Sequence, residues 1–253
     1  MPDGAASPDL MAEWARWQDA GLKARFWLRD DDAVTATPSL ERLIAMTQVF
    51  DAPLLLAVIP AHATHALAVR LRGLDRIRIA THGWSHRNHA AAGMKQSEAT
   101  DNLATGRSSD DVLHEIATGH RQIGTLFAAQ STGFFVPPWN RMAPAVAERL
   151  GETGVSAISG FGWRRAETPL PWLNTHIDLI DWRNGRSGKP LQTLDLELVT
   201  ALQSARKRGG APIGILSHHL VHDDTAWTGY EALVHWIRQA DTASLHAAEE
   251  LVA

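Results

Sequence analysis

The sequence predicts an α/β fold with about seven parallel strands closed into a barrel. Apolar runs such as PLLLAVIP (Pro53–Pro60) lack polar alternation, which is typical of strands buried on both faces. These runs alternate along the chain with amphipathic segments of helical period, the order expected for a parallel sheet covered by helices. The length of 253 residues suits one such domain.

The predicted elements follow one another from the N-terminus with short connections. Ser7 and Pro8 start a helix whose apolar stripe includes Leu10, Trp14 and Trp17. Helices are predicted over 7–20, 38–51, 63–72, 95–104, 109–128, 143–151, 193–208 and 223–240. Strands are predicted over 24–29, 53–60, 76–82, 155–162 and 212–219, with a strand that runs into a loop over 133–140 and a strand or extended loop over 173–182. We expect one domain, 1–253, in which 1–21 is an N-terminal helical extension.

Composition excludes several classes of function. The net charge is −4 and no basic cluster dominates, so no nucleic-acid partner is expected. The chain has no cysteine, so a metal site must use histidine and carboxylate ligands. There is no apolar run of about 18 residues, and hence no expected membrane span. The first ten residues lack the basic and apolar segments of a signal peptide, so a cytoplasmic location is expected. The oligomeric state is left open.

Polar residues follow the predicted strands, where the carboxyl ends of parallel strands gather catalytic groups. These residues are Asp30, Asp31, Asp32, His62, His82, His86, Pro137–Asn140, Asp178, Asp181, Trp182, His218, His219 and His222. If the fold is a barrel, they converge at one mouth.

A bound metal ion would explain why histidines and aspartates cluster after these predicted strands. With 13 histidines, about 0.7 His-x-x-x-His pairs are expected by chance, so His82 and His86 alone are a weak signal. The run Asp30–Asp32 is rarer, and three adjacent carboxylates repel one another. Asp31 or Asp32 could instead cap a turn. Two imidazoles and one carboxylate suit zinc, cobalt, nickel, manganese or ferrous iron.

Four stretches in order resemble the motifs of the polysaccharide deacetylase family, which comprises metal-dependent N-deacetylases. LRDDDA matches the paired aspartates that end the family's first strand, and HGWSH matches its His-x-x-x-His motif. DLIDW matches Asp-x-x-Asp-Trp, and ILSHH matches the strand that ends Leu-x-His. The resemblance covers residues 25–220 approximately and implies a distorted (β/α) barrel with about seven strands.

The resemblance also implies a role for each matching residue. The ligands of one divalent metal, zinc foremost, would be Asp32, His82 and His86. Asp31 would be the general base that takes a proton from a metal-activated water. His218 would be the general acid that protonates the leaving amine, and Asp181 would tune the charge of His218.

The third motif departs from the family pattern of Arg-x-Pro-x-Gly. Pro138 matches the proline, but Val136 stands in place of the arginine and Asn140 in place of the glycine. Arg29 and Arg141 are candidates to replace the missing arginine. The residues expected to line a substrate site are Pro138, Trp139, Asn140, Trp182 and Trp84. For these tryptophans, core packing is an equal alternative.

The residues and the resemblance together predict a metal-dependent hydrolase of a C–N bond. The expected reaction is N-deacetylation of a small amide or N-acetyl sugar. One alternative is a hydrolase of a non-sugar amide, cyclic imide or ureide on the same barrel. Another is a catalytically inactive relative that binds a metal or a sugar, which the altered third motif favours.

Overall fold

A computed structural model of the chain describes residues 5–252. Residues 1–4 of the predicted N-terminal extension and Ala253 lie outside the described residues. The chain forms two compact units. Unit 1 comprises residues 5–30, 38–54 and 175–251, and unit 2 comprises 31–37, 55–174 and 252. The prediction of a single domain stays a prediction.

The main sheet consists of parallel strands in the order β5-β4-β3-β2-β1-β9-β6, with β10 paired to β1. A separate antiparallel pair is formed by β7 and β8. The strands are β1 (Ala24–Ala33), β2 (Leu54–Val58), β3 (Ile77–His82), β4 (Ser131–Val136), β5 (Ala157–Ile158), β6 (Thr175–Asp178), β7 (Ile180–Asp181), β8 (Ser187–Gly188), β9 (Ile213–Ser217) and β10 (Ala243–Leu245). The predicted α/β class with about seven parallel strands is confirmed.

Seven α-helices alternate with these strands among residues 5–252. They are α1 (Pro8–Asp19), α2 (Pro38–Val49), α3 (His65–Leu71), α4 (Ser109–Phe127), α5 (Pro144–Arg149), α6 (Leu191–Arg206) and α7 (Asp224–Gln239). The hydroxyl of Ser7 accepts a hydrogen bond from the amide of Leu10 at 3.1 Å, which caps α1 as the sequence predicts. None of the helices in this part of the chain is long and apolar enough to cross a membrane.

The core of unit 2 packs helix α4 against strands β4 and β5. The apolar face of α4 contributes Val112, Leu113 and Ile116, which are buried with Phe135 of β4 and Ile158 of β5. These three helix positions have the spacing of one helical face, so burying them fixes α4 against the sheet. The carboxyl ends of β3 and β4, which pair in parallel, therefore lie side by side.

Two predicted elements are wrong in detail. The predicted helix over 95–104 is a loop that includes one 3₁₀ turn (Leu103–Thr105), because Glu98 is turned inward to bind backbone amides. The predicted extended stretch over 173–182 is broken into β6 and β7, because the amide of Ile180 bonds the side chain of Asp178. Both differences lie next to candidate site residues.

Gly188 is required by the packing of β8 against α7. A β-carbon at Gly188 would overlap with the backbone of Thr225 and Ala226, which cannot move without distorting the start of the helix. Gly188→Ala is therefore expected to lower the free energy of unfolding by about 2 kcal/mol. The measurement is urea denaturation followed by circular dichroism.

Gly124→Ala is the matched control for this substitution. Gly124 lies inside α4 with open space around it, so alanine there should raise stability by about 0.5 to 1 kcal/mol. Equal stability of Gly188→Ala and the wild type would show that β8 does not pack as described.

Candidate functional site

The end of β1 brings Asp31 and Asp32 to the carboxyl edge of the sheet. Asp31 is buried, with 2% of its surface exposed. In a regular strand, adjacent side chains point to opposite faces. Asp32 has φ of 74°, which ends that alternation, so both carboxylates act on His82. A left-handed conformation is unusual for a residue other than glycine, although aspartate tolerates it better than most.

His82 ends β3 and is held in one orientation. Its Nδ1 lies 2.9 Å from the carbonyl oxygen of Val136, and it can only donate to that acceptor. The proton on Nδ1 leaves Nε2 directed at the Oδ1 atom of Asp32, 3.1 Å away. Metal-binding histidines commonly have one ring nitrogen fixed in this way by a carbonyl.

His86 reaches the same oxygen from the following loop. Its Nε2 lies 3.3 Å from Oδ1 of Asp32, and the rings of His82 and His86 are 5.1 Å apart. A neutral His82 would therefore present a lone pair to a carboxylate oxygen, which is unfavourable unless a cation lies between them. A proton or a metal ion satisfies this requirement.

Charge at the site favours a cation. Burial of His82 disfavours its protonation, but the carboxylates of Asp31 and Asp32 outweigh burial and raise the pKa of His82. Burial of His86 and the neighbouring His82 lower the pKa of His86. Protonating both imidazoles is thus unfavourable, although both face one carboxylate.

The three side chains fit a divalent transition metal. One ligand atom from each of Asp32, His82 and His86 lies within 4.8 Å of the others. Two imidazole nitrogens and one carboxylate oxygen are a ligand set of zinc and non-haem iron enzymes, which leaves positions open for water or substrate. The sequence-predicted ligands are thus brought together.

Backbone strain is concentrated around this cluster. Four of the seven non-glycine residues with positive φ among residues 5–252 are Asp32, His86, Trp139 and Asn140. Each such conformation costs about 1 to 3 kcal/mol and persists only where the surroundings enforce it. Of the predicted lining residues, Trp139 lies against the ring of His86 at a tilt of 51°, with centroids 4.3 Å apart. Pro138 is buried and lies two residues after the end of β4.

Trp84, a predicted lining residue, is held by its backbone. Its amide donates to Glu98 at 2.9 Å, and its carbonyl accepts from the amide of Ala61 at 2.9 Å. The side chain is half-buried. The structure thus fixes the position of Trp84 in the His82–His86 loop, and its contact with a substrate stays a prediction.

In unit 1, His218 follows β9 beside Asp178 and Trp182. Its Nδ1 lies 3.9 Å from Oδ1 of Asp178, which is an electrostatic contact longer than a hydrogen bond. The indole nitrogen of Trp182 donates to the other oxygen of Asp178 at 2.8 Å, and the Trp182 ring meets the His218 ring edge-on at 4.7 Å. Burial raises the pKa of Asp178 despite the opposing charge of His218.

Asp181 bonds the backbone of the turn that follows β7, and its predicted effect on His218 stays a prediction. The sequence assigns it to tuning His218, but the carboxylate of Asp181 accepts hydrogen bonds from the amides of Arg183 and Asn184. It therefore caps the turn between β7 and β8. Asp178, three residues earlier, is the carboxylate beside His218. Both aspartates belong to the DLIDW motif, but Asp178 ends β6 and Asp181 ends β7.

Asp30, His219 and His222 form a buried polar group within unit 1. The carboxylate of Asp30 accepts from Ser217 Oγ at 2.6 Å, from the amide of His219 at 2.9 Å and from His219 Nδ1 at 2.5 Å. Burial lowers the pKa of His222 to about 4, so this ring is neutral where it packs on Trp227. These contacts give Asp30 and His219 a structural role.

Comparison with solved structures identifies the fold. A structure described as T48 deacetylase with substrate matches at TM-score 0.56 and 16% identity, over 92% of each chain. A family 4 acetyl xylan esterase from Clostridium thermocellum in complex with a cobalt ion matches at TM-score 0.57 and 15% identity, over 90% of this chain and 89% of the other.

The chain has the fold of the polysaccharide deacetylases. A CE4 family pseudoenzyme from Bacillus anthracis shares this fold, at TM-score 0.56 and 16% identity over 91% of this chain and 66% of the other. The polysaccharide deacetylase fold therefore includes both enzymes and a pseudoenzyme. No family model and no curated protein sequence matches the chain.

The buried Asp30–His219 pair predicts a pH-dependent loss of stability. Burial alone would raise the pKa of Asp30, but the charge and hydrogen bond of His219 outweigh it and lower this pKa below 3.8. The stabilisation is thus present above pH 3.8 and is lost as the pH falls through the lowered pKa. Asp30→Asn should lower the free energy of unfolding at neutral pH by about 3 kcal/mol.

Urea denaturation at several pH values checks this expectation. The difference between wild type and Asp30→Asn should persist down to about pH 4 and shrink only below it. The exposed Asp19→Asn is the control, with an expected change within about 0.5 kcal/mol. A difference that disappears between pH 7 and 5 would contradict the assigned sign of the pKa shift.

Proposed function

We propose that this protein is a metal-dependent hydrolase that cleaves an acyl-amide bond, with the N-acetyl group of a small sugar or glycan-related molecule as its substrate. The observation that carries the proposal is the convergence of His82 Nε2 and His86 Nε2 on one oxygen of Asp32. A pair of imidazoles directed at one carboxylate at a strand end is a ligand set with open positions for a reacting group.

Asp31 is the general base in this proposal. A divalent metal, when bound by Asp32, His82 and His86, would polarise the substrate carbonyl and lower the pKa of a water molecule. Asp31 would take the proton from the attacking water. Its burial and its electrostatic effect on His82 support this role, because they bring its negative charge close to the ligand set.

His218 is the proposed general acid, with Asp178 as its neighbouring carboxylate. His218 would give a proton to the departing amine nitrogen. Asp178 lies beside Nδ1 of His218 and would itself be oriented by the indole of Trp182. A histidine with a neighbouring carboxylate is a common arrangement for proton transfer near neutral pH.

The strained turn after β4 supports an open binding surface. Trp139 and Asn140 both have left-handed backbone conformations, and the Trp139 ring lies against the ring of His86. We propose that the Trp139 face packs against an apolar face of the substrate, as aromatic rings commonly do in sugar and amide sites. Trp182, with 40% of its surface exposed, is a second candidate for this contact.

The solved structures of this fold support hydrolysis but leave a second function open. Their printed descriptions include a deacetylase with substrate and an acetyl xylan esterase with cobalt, which favour acetyl transfer to water. The pseudoenzyme of the same fold, together with Val136 in place of the motif arginine, favours a binding protein without turnover. In either function, Asp32, His82 and His86 would be the metal ligands.

The substitution Asp31→Asn tests the base. Asparagine keeps the size of the side chain and cannot take the proton, so turnover should fall by about 10³-fold. Zinc content should stay near one ion per chain, because Asp31 is not among the ligands. The exposed Asp110→Asn serves as control and should keep wild-type turnover. Full activity of Asp31→Asn would exclude Asp31 as the base.

A panel of substrates distinguishes the alternatives. N-acetyl sugars, acetate esters, a cyclic imide and a ureide should be incubated with the zinc-loaded and cobalt-loaded protein. Release of acetate from N-acetyl sugars supports the proposal, whereas cleavage of the imide or ureide alone supports the non-sugar hydrolase. Binding without cleavage of any compound would support the inactive relative.

A further inference from the structure

Glu98 is a buried carboxylate that the proposed chemistry does not use. Only 3% of its surface is exposed, although it lies in the loop that joins β3 to α4. A buried carboxylate is costly unless hydrogen-bond donors surround it. The sequence gives no warning of this burial, since it predicts a helix over 95–104.

Within residues 5–252, the hydrogen bonds to the carboxylate of Glu98 come from the segment 84–87. The amide of Trp84 donates to Oε2 at 2.9 Å. The amide of Ser85 donates to Oε1 at 2.8 Å, its hydroxyl at 3.0 Å, and the amide of Arg87 at 3.3 Å. Backbone amides that converge in this way form a nest for an anion, and here the carboxylate of Glu98 occupies it.

His86 lies between the residues that Glu98 binds. The amides of Ser85 and Arg87, on either side of His86, are both fixed by the same oxygen, Oε1. His86 has φ of 57°, which costs about 1 to 3 kcal/mol. The bonds on both sides offset this strain and hold the backbone from which the imidazole reaches Asp32.

Gly83 allows the segment to wrap closely around the carboxylate. It has φ of 60°, and a β-carbon there would overlap with the carboxylate of Glu98 and the ring of Pro138. Close approach of the backbone is therefore part of the arrangement. Gly83 follows His82 directly, so the same turn joins one predicted ligand to the nest.

Glu98 is itself held from the side of α4. Its carbonyl accepts from the amide of Thr100 at 2.8 Å, and the guanidinium of Arg107 donates to the carbonyl of Thr100 at 3.2 Å. Arg107 also forms a two-pronged ion pair with Glu115 of α4, at 2.8 and 2.6 Å. The loop position of Glu98 is thus connected to a rigid helix.

We propose that Glu98 is a positioning residue for the candidate metal centre. By binding the backbone on both sides of His86, it fixes His86 in the strained conformation that directs Nε2 at Asp32. The inference deepens the proposed function, because it rests on Asp32, His82 and His86 as metal ligands. It concerns metal affinity, however, and does not require that the protein turns over a substrate.

Glu98→Gln is the main test. Glutamine has nearly the same shape, but its amide nitrogen cannot accept a hydrogen bond. The NH₂ group of glutamine would therefore face backbone N–H groups of the nest, which are also donors. Zinc affinity, measured by competition with a chromophoric chelator, should fall by about 10-fold to 100-fold. Hydrogen exchange of the Ser85 and Arg87 amides in the metal-free protein should become at least about 10-fold faster.

A double-mutant cycle separates positioning from general loss of structure. If Glu98 acts through His86, Glu98→Gln should change zinc affinity by less than about 2-fold in the His86→Ala background. Equal loss in both backgrounds, or no loss in the wild-type background, would overturn the inference. Failure of the wild type to bind zinc would overturn it as well.

Two further variants serve as controls. Glu13→Gln weakens the ion pairs of another buried carboxylate with Arg16 and Arg206, and should lower the melting temperature while leaving zinc affinity within about 2-fold. Glu98→Asp keeps the charge but shortens the side chain, and should lose less zinc affinity than Glu98→Gln; an equal or larger loss would contradict the role of the charge. Normal zinc affinity without turnover would refute the proposed function alone.

Discussion

The site depends on one electrostatic constraint, which is that two imidazole nitrogens share a single carboxylate oxygen. His82 has its proton on Nδ1 because the Val136 carbonyl requires a donor there. Its Nε2 therefore meets Asp32 Oδ1 as a lone pair unless a cation is present. His86 directs its own Nε2 at the same oxygen. A divalent metal satisfies all three groups at once, whereas protons would have to charge two adjacent rings.

Strain in the backbone follows from this constraint. The ligand set is assembled from the ends of β1 and β3 and one loop, and two of its members, Asp32 and His86, adopt left-handed conformations. Such conformations persist only when other interactions enforce them. For His86, the bonds of Glu98 to the neighbouring amides hold the strained backbone in place. The Trp139 ring, which lies against the His86 ring, adds a second contact. The contacts that stabilise the loop around His86 are thus the same contacts that fix the position of its imidazole.

Much of the fold and of the ligand set could be predicted from the sequence, because these depend on local patterns. Continuous apolar runs predicted the strands, and the resemblance to the polysaccharide deacetylase motifs assigned Asp32, His82 and His86 as ligands. Glu98 could not be predicted, since its role depends on how a loop without periodic pattern folds back onto another. Asp178 lies in the same motif as Asp181, but only the folded chain shows its carboxylate 3.9 Å from Nδ1 of His218.

The metal content of the purified protein is the measurement that decides whether Asp32, His82 and His86 bind a metal ion. Protein purified without a metal-affinity tag should be incubated with zinc, desalted and measured by mass spectrometry, for the wild type, Asp32→Ala and Asp181→Ala. About one zinc ion per chain is expected in the wild type and in Asp181→Ala, and loss of the ion is expected in Asp32→Ala. Absence of zinc from the wild type, or its full retention in Asp32→Ala, would show that Asp32, His82 and His86 are not the ligands of a zinc ion.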